Sequence, residues 1–159
     1  MAPSKRVAIA LGSNLGDRRA ALAFAAGRLS AFITGLTISD FIETDPAGEG
    51  AEGQPPYLNG AAVGETSLPA RELLDALLLV ERDYGRERPY PGAPRTLDLD
   101  LILLGDQIVD DAGLQVPHPR FRDRFFVLGP LAAIAPDMVD PVSHRSVEEL
   151  LRTLHDETR

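Results

Sequence analysis

The 159-residue chain has no cysteine and no tryptophan. Without cysteine, disulfides and thiolate metal sites are excluded, which fits a reducing compartment. No run of residues approaches the roughly 20 apolar positions of a membrane-spanning helix. No N-terminal stretch carries the pattern of a signal peptide, so the expected location is the cytoplasm, with no membrane partner. Positive charge is also scarce. Sixteen Lys and Arg stand against 24 Asp and Glu, a formal net charge of -8. That balance argues against broad binding to nucleic acid or to an anionic membrane. The familiar nucleotide signatures are missing too. There is no G-x-x-x-x-G-K-[ST]. Gly48, Gly50 and Gly53 spell a literal G-x-G-x-x-G. However, it follows Asp-Pro, runs into Gln-Pro-Pro instead of a helix, and carries Glu49 and Glu52, which would repel a pyrophosphate. With three histidines and no Glu or Cys pattern beside them, a zinc site is not expected.

What the chain does have is arginine gathered locally. Arg82, Arg86, Arg88 and Arg95 lie in one segment, and Arg120, Arg122 and Arg124 in another. In an acidic chain such clusters suit a small anion. The length suits one domain over residues 1–159. Residues 6–12 read as a strand, and Asp17 opens a helix expected to run to about Gly35, with Leu22, Ala25, Leu29 and Phe32 at helical spacing. A second strand is expected over 36–44 and a third over 57–65, with a Gly/Pro-rich loop over 45–56 between them. A second helix starts near Pro69, buries Leu73, Leu74, Leu77, Val80 and Tyr84, and ends at Gly85. A second loop covers 86–94, a fourth strand 96–104, and 106–110 adds a short hairpin arm. Residues 115–124 look irregular, 125–137 partly helical. Ser146 and Glu149 have capping-box spacing for a last helix. Strand, helix, strand, strand, helix, strand is the ferredoxin-like, split-βαβ order, so the expected class is α+β. It predicts one antiparallel sheet with helices on one face and a C-terminal helical extension.

Asp98 and Asp100 break the apolar strand 96–104. At i and i+2 they share one face, opposite Leu97, Leu99 and Leu101. Two carboxylates so placed repel each other unless a cation sits between them, and Mg²⁺ is bound by one or two carboxylates plus substrate phosphates. The bland alternative is a solvated strand face. Carboxylates, magnesium and arginines are the parts of phosphoryl-type transfer, whose catalysis is mostly positioning and charge neutralisation. In "PPYLNG", Tyr57 and Asn59 share a face; an aromatic stacks on a flat ligand, and an amide offers a heterocycle edge a donor and an acceptor. "GSNLGD" at 12–17 joins strand one to helix one as turn chemistry plus a cap, or as a functional loop. His118, in "VPHPR", either contacts a nucleotide or caps a loop.

Taken together, "GSNLGD", "YLNGA", "ERDYGR", "APRTLDLDLIL" and "VPHPR" followed by "RFFVLGPL" closely resemble the 6-hydroxymethyl-7,8-dihydropterin pyrophosphokinase family of folate biosynthesis, over about residues 6–152. The resemblance implies an α-β-α sandwich on a ferredoxin-like core. It implies transfer of the terminal diphosphate of MgATP to the pterin hydroxymethyl group, with release of AMP. Asp98 and Asp100 would hold two Mg²⁺ ions. Arg86 and Arg95 match the phosphate clamp, and Arg88 and Arg124 assist. Glu81 and His118 match nucleotide-contacting positions, with Leu101 beside the adenine. Asn59 matches the side chain that reads the pterin edge, Tyr57 and Phe126 the aromatics beside the ring, and Thr44 and Ala47 positions whose backbone touches it. The implied partners are ATP and the reduced pterin alone, with the protein acting as a monomer. The chain departs from the family at Gly92, where many members carry an aromatic and where Tyr90 lies two residues earlier. It departs also in a longer, more acidic 45–56 loop. A two-metal nucleotidyltransferase and a non-catalytic pterin- or nucleotide-binding module are the competing readings.

Overall fold

The structure is a computed structural model and describes residues 3–44, 56–85 and 97–157. The elements run β1 (Lys5–Ser13), α1 (Arg18–Leu29), β2 (Thr34–Ile38), β3 (Ile42–Thr44), β4 (Tyr57–Thr66), α2 (Ala70–Gly85) and β5 (Asp98–Leu104). They continue with β6 (Val109–Asp111), β7 (Leu114–Val116), a 3₁₀ turn at Phe121–Asp123, α3 (Phe125–Ile134) and α4 (Val147–Glu157). The main sheet has the order β2-β4-β1-β5, with β3 also paired to β4, and its pairings are antiparallel. β6 and β7 form a separate hairpin.

Both faces of the sheet are buried, because successive residues of a strand point to opposite sides. Val7, Ile9 and Leu11 of β1 pack with Leu58, Ala62, Leu99 and Leu101 against α1 and α2. Ala8, Ala61, Val63, Ile102 and Leu103 pack against Phe121 and the α3 and α4 residues Val127, Leu128, Leu131, Val147 and Leu150. Helices α1 and α2 share one face, as the element order through β5 predicts, and the C-terminal helices α3 and α4 cover the second face. On β5 the alternation is reset by a bulge. Leu101 pairs with Ile9 and Leu103 with Ala8, so Ile102 is the extra residue. Both Ile102 and Leu103 join the α3/α4 core, and Leu104 returns to the other side.

Two expectations are corrected. Helix α1 stops at Leu29, not near Gly35. Its Asp17 cap forms as expected, accepting from the Ala20 N–H at 3.0 Å. At the other end the Ser30 hydroxyl donates to the Gly27 carbonyl at 2.7 Å, and Ala31 and Phe32 donate to Arg28 and Leu29 in tightened i→i−3 bonds. Phe32 still packs on the core, but from the turn. The β-branched Ile33, Thr34, Thr37 and Ile38 then favour a strand. The single strand expected over 36–44 is two, broken where Ser39 turns its hydroxyl to accept the Ala61 N–H at 2.8 Å. Residues 115–124, expected to be irregular, begin inside β7 and include the 3₁₀ turn. The α4 capping box forms in both directions, with Glu149 N–H on Ser146 Oγ and Ser146 N–H on Glu149 Oε1.

The 3₁₀ turn is tied to the segment before α4 by a buried ion pair. Asp140 is fully buried. It accepts from Arg122 Nε and a second guanidinium nitrogen at 2.6 and 2.9 Å, from the Val142 N–H and from Ser143 Oγ. Arg122 also lies over the Phe121 ring at 4.7 Å. Burial pushes the Asp140 carboxyl up. The hydrogen bonds from Arg122, Ser143 and Val142, with the Arg122 charge, outweigh it and hold the pKa at about 2.

Two stability predictions follow from this packing. A methyl group at Gly64 would meet Ile33 Cγ2 at 2.5 Å and the Thr34 carbonyl oxygen at 2.7 Å. The second is backbone and cannot swing aside, so Gly64→Ala is expected to destabilise by about 1–3 kcal/mol, measured by urea unfolding. For Asp140 the folded pKa lies below the unfolded one, so its contribution is present above about pH 4. It is lost as pH falls from about 4 to about 2 and amounts to about 2 kcal/mol. The stability gap between wild type and Asp140→Asn should narrow over that window; a gap independent of pH would show that the carboxylate charge is not what holds the turn.

Candidate active site

The second sheet face is apolar at one end and polar at the other. Antiparallel register places Asn59 of β4, Gly12 of β1 and Asp98 of β5 side by side. The next row is Ala61, Ala10 and Asp100. These rows continue the face that α3 covers further along. Beyond its reach they floor an open cavity of about 670 Å³. Ala10 and Gly12 leave the middle strand nearly bare, so the carboxylates and Asn59 stand at the sides of a shallow trough. Tyr57 and Thr44 extend one wall. The opposite wall comes from the segment Arg122–Asp140 holds: Arg120, Asp123, Arg124, Phe126 and Val127. The Arg124 guanidinium lies over the Phe126 ring at 5.6 Å.

A second cleft of about 710 Å³ opens at the edge of the sheet, where β5 has no strand beyond it among the described residues. It is lined by Leu99, Asp100 and Leu101 of β5, by Leu74 of α2, by the β6–β7 hairpin and by His118 and Pro119. Asp100 lines both cavities. Asp100 therefore stands where the two clefts meet, with Asp98 on the same strand face inside the first.

Side-chain states follow from the surroundings. Both aspartates are exposed to the clefts. Burial raises the Tyr57 pKa, and the Asp98 charge raises it further, so the phenol keeps its proton. For His118, burial lowers the pKa; Asp100 pulls it up, while Arg124 and Arg120 press it down again. Its Nδ1 accepts the Arg120 N–H at 3.1 Å, which leaves the ring proton on Nε2 as a donor. Its backbone N–H donates to the Ile102 carbonyl at 3.0 Å and fixes the segment against β5.

Asn59 is almost fully buried, and its Nδ2 donates to Thr44 Oγ1 at 2.6 Å. Thr44 thus lines the cavity and holds the Asn59 amide through its hydroxyl. Glu81 accepts the Leu99 N–H at 2.6 Å, a bond to the backbone between the two aspartates. It lines neither cavity among the described residues. The Leu101 side chain is buried in the α1/α2 core, so its approach to the second cleft is along the strand edge. Arg18, at the start of α1, ion-pairs with Glu43 and donates to the Pro56 carbonyl at 2.9 Å, joining the chain on either side of residues 45–55. Of the three alternating arginines, Arg120 and Arg124 reach the cavity and Arg122 turns to Asp140. Ala47, Arg86, Arg88 and Arg95 lie outside the described residues, as do Tyr90, Gly92 and most of the two Gly/Pro loops.

Sequence reasoning missed Ala10 and Gly12. Gly12 was readable as turn chemistry in "GSNLGD", yet it and Ser13 are the last residues of β1. The signal that finds them is period two: Ala8, Ala10 and Gly12 share the face whose neighbours are Asn59 and the aspartates.

The two carboxylates suit a hard cation. Both are oxygen donors on one strand face, both line the first cavity, and no third His, Cys, Asp or Glu joins them among the described residues. That leaves coordination positions for phosphate oxygens and water, the habit of magnesium.

Comparison with known proteins gives the family of the chain. Residues 8–136 match the family model for 7,8-dihydro-6-hydroxymethylpterin-pyrophosphokinase (HPPK). A 2-amino-4-hydroxy-6-hydroxymethyldihydropteridine pyrophosphokinase of Pseudomonas aeruginosa is 41% identical over 152 residues, covering 92% of this chain and 90% of that protein. The protein of the same name from Bacillus subtilis is 44% identical over 128 residues, covering 79% and 75%. A Synechocystis protein of that name is 49% identical over 98 residues, and the match spans 62% of this chain and half of that protein. The fold matches Plasmodium falciparum HPPK-DHPS with a TM-score of 0.80 at 10% identity, over 99% of this chain and 46% of that one. On the family match and these identities, the chain belongs to the 7,8-dihydro-6-hydroxymethylpterin-pyrophosphokinase family.

Proposed function

We propose that the chain transfers the terminal diphosphate of MgATP to the hydroxymethyl group of 6-hydroxymethyl-7,8-dihydropterin, releasing AMP, as a step of folate biosynthesis. The observation that carries this reading is the junction: Asp100 lines two clefts of different character, with Asp98 on the same strand face inside the first. The cleft with Asn59, Tyr57 and Phe126 suits a flat heterocycle with a polar edge. The cleft at the β5 edge, with the His118 donor and strand backbone along Leu101, suits the nucleotide. Its phosphates then point to Asp98 and Asp100. The acceptor hydroxyl releases its proton to solvent as its oxygen bonds to the β-phosphorus, the bond from that phosphorus to the oxygen bridging to the α-phosphate breaks, and AMP leaves with that oxygen.

Asp98 and Asp100 would hold two Mg²⁺ ions. Bound there, magnesium offsets the triphosphate charge and polarises the acceptor hydroxyl. Arg124 and Arg120 stand across the cavity from the carboxylates, placed for equatorial phosphate oxygens. Arg86 and Arg95 complete the clamp in this reading, with Arg88 assisting, and Ala47 adds a backbone contact to the pterin. Glu81 acts through β5, holding the backbone between the two aspartates, with the nucleotide beside it.

The core belongs to the ferredoxin-like class in this reading, because the order β2-β4-β1-β5 is what the split βαβ connection produces. Residues 1–159 form one unit that works as a monomer in the cytoplasm. No helix among the described residues is long and apolar enough to cross a membrane.

The direct test is incubation with MgATP and the reduced hydroxymethylpterin. AMP and a pterin diphosphate are expected; pyrophosphate release would mean nucleotidyl transfer, and binding without turnover a sensing module. Asp98→Asn and Asp100→Asn should each lower kcat on the order of 10²-fold or more, the scale of one key electrostatic contact. The fold should persist, since Asn keeps the shape and relieves like-charge repulsion on one strand face. Normal turnover in both variants would reduce the pair to a solvated strand face. Calorimetry of ATP with EDTA in place of Mg²⁺ should show much weaker binding, and equal affinities would remove the metal from the site.

A further inference from the structure

Asn59 sits between two unlike neighbours. On the β3 side, Ile42 is its register partner and Thr44 lies one step along the same face. Thr44 Oγ1 takes one Nδ2 hydrogen at 2.6 Å. On the β1 side its partner is Gly12, and a methyl group there would come within 3.1 Å of Asn59 Oδ1 and 3.8 Å of the Tyr57 ring. The amide is thus held at its nitrogen end and given room at its oxygen end. Residue 12 is a pocket-floor position as much as a turn position, and Thr44 contributes a side chain to the site.

We propose that Thr44 and Gly12 are positioning residues that set the Asn59 amide, and that this setting selects the heterocycle. With Nδ2 bound to Thr44, Oδ1 lies over the bare floor at Gly12, beside Asp98 in the same row. The second Nδ2 hydrogen remains available. The cavity therefore offers one fixed acceptor and one fixed donor next to a carboxylate. It takes a flat ring whose edge pairs an N–H donor with an acceptor, and it disfavours a ring whose edge carries acceptors alone. A methyl group at position 12 would crowd Asn59 Oδ1 at 3.1 Å, shifting the amide against its Thr44 bond and narrowing the floor under the ring. This inference rests on the pterin reading above for the identity of the ring, but the amide setting is a property of the free protein.

The test has two arms on the full chain. In ligand-free protein, the Asn59 side-chain NH₂ resonances are followed by NMR in wild type, Thr44→Val and Thr44→Ser. In parallel, Kd is measured for 6-hydroxymethyl-7,8-dihydropterin and for MgATP, with Gly12→Ala added. Thr44→Val should move the Asn59 NH₂ signals and speed their exchange. It should weaken pterin binding roughly tenfold, the scale of one hydrogen bond, with MgATP affinity unchanged. Thr44→Ser should recover most of both, and Gly12→Ala should weaken pterin binding at least as much as Thr44→Val. Unchanged NH₂ signals and pterin affinity in Thr44→Val, or a Thr44→Ser no better than it, would overturn the proposal. If NH₂ signals respond as expected but wild type binds MgATP and no pterin, the amide setting stands and the pterin reading falls.

Discussion

One face of the sheet has to be dry at one end and wet at the other, and the rest of the structure follows from that division. Period two in β1, β4 and β5 puts Ala8, Val63 and Ile102 on the same side as Gly12, Asn59 and Asp98. Helices α3 and α4 cover the first group. The second group is left open, which is where two neighbouring carboxylates can be tolerated. A deeper burial of Asp98 and Asp100 would remove both from water, at several kcal/mol per ion. A fuller exposure would leave no walls to hold a substrate. The bulge at Ile102 marks the changeover: it places two successive apolar side chains under α3 just past the last aspartate.

The wall facing the aspartates depends on a different kind of interaction. Residues 118–126 contain one short 3₁₀ turn and carry His118, Arg120, Arg124 and Phe126. They are fixed by specific bonds at the start and in the middle: His118 N–H to the Ile102 carbonyl, and Arg122 to buried Asp140. Phe121, fully buried, anchors the middle. Fixed in this way, an irregular segment can present two cationic side chains with little conformational freedom left to lose on binding.

Much of this was legible in the sequence, and what was not has identifiable causes. The Asp17 cap, the Ser146–Glu149 box, the apolar stripe of α2 and the shared face of Asp98 and Asp100 are local signals that tertiary structure did not overrule. Helix α1 was read too long because Phe32 keeps helical spacing while its backbone has already turned. The break at Ser39 was unreadable because it is stabilised by a bond to Ala61, in another strand. Asp140 was invisible for the same reason: its partner lies 18 residues away in sequence, and nothing in "MVDPV" announces a buried carboxylate. In the cavity lining, the carboxylate pair and Asn59 carried signals of their own, Asp123 was passed over beside the arginines, and Ala10 and Gly12 offered none. Gly12 matters for the atoms it lacks, and only the strand register shows whose space it leaves.

Arg18 joins Glu43 to the Pro56 carbonyl and so ties together the chain on the two sides of residues 45–55. The ends of that stretch are held by α1 and by the β3–β4 pairing, independently of what lies between them. Closing a longer loop between fixed ends costs only about 0.6 kcal/mol per doubling of its length. Insertions and changes of charge there are consequently cheap, and Thr44 and Tyr57 keep their places while the loop diverges. A change of length in that stretch therefore leaves the anchors of Thr44 and Tyr57, and with them the floor of the site, in place.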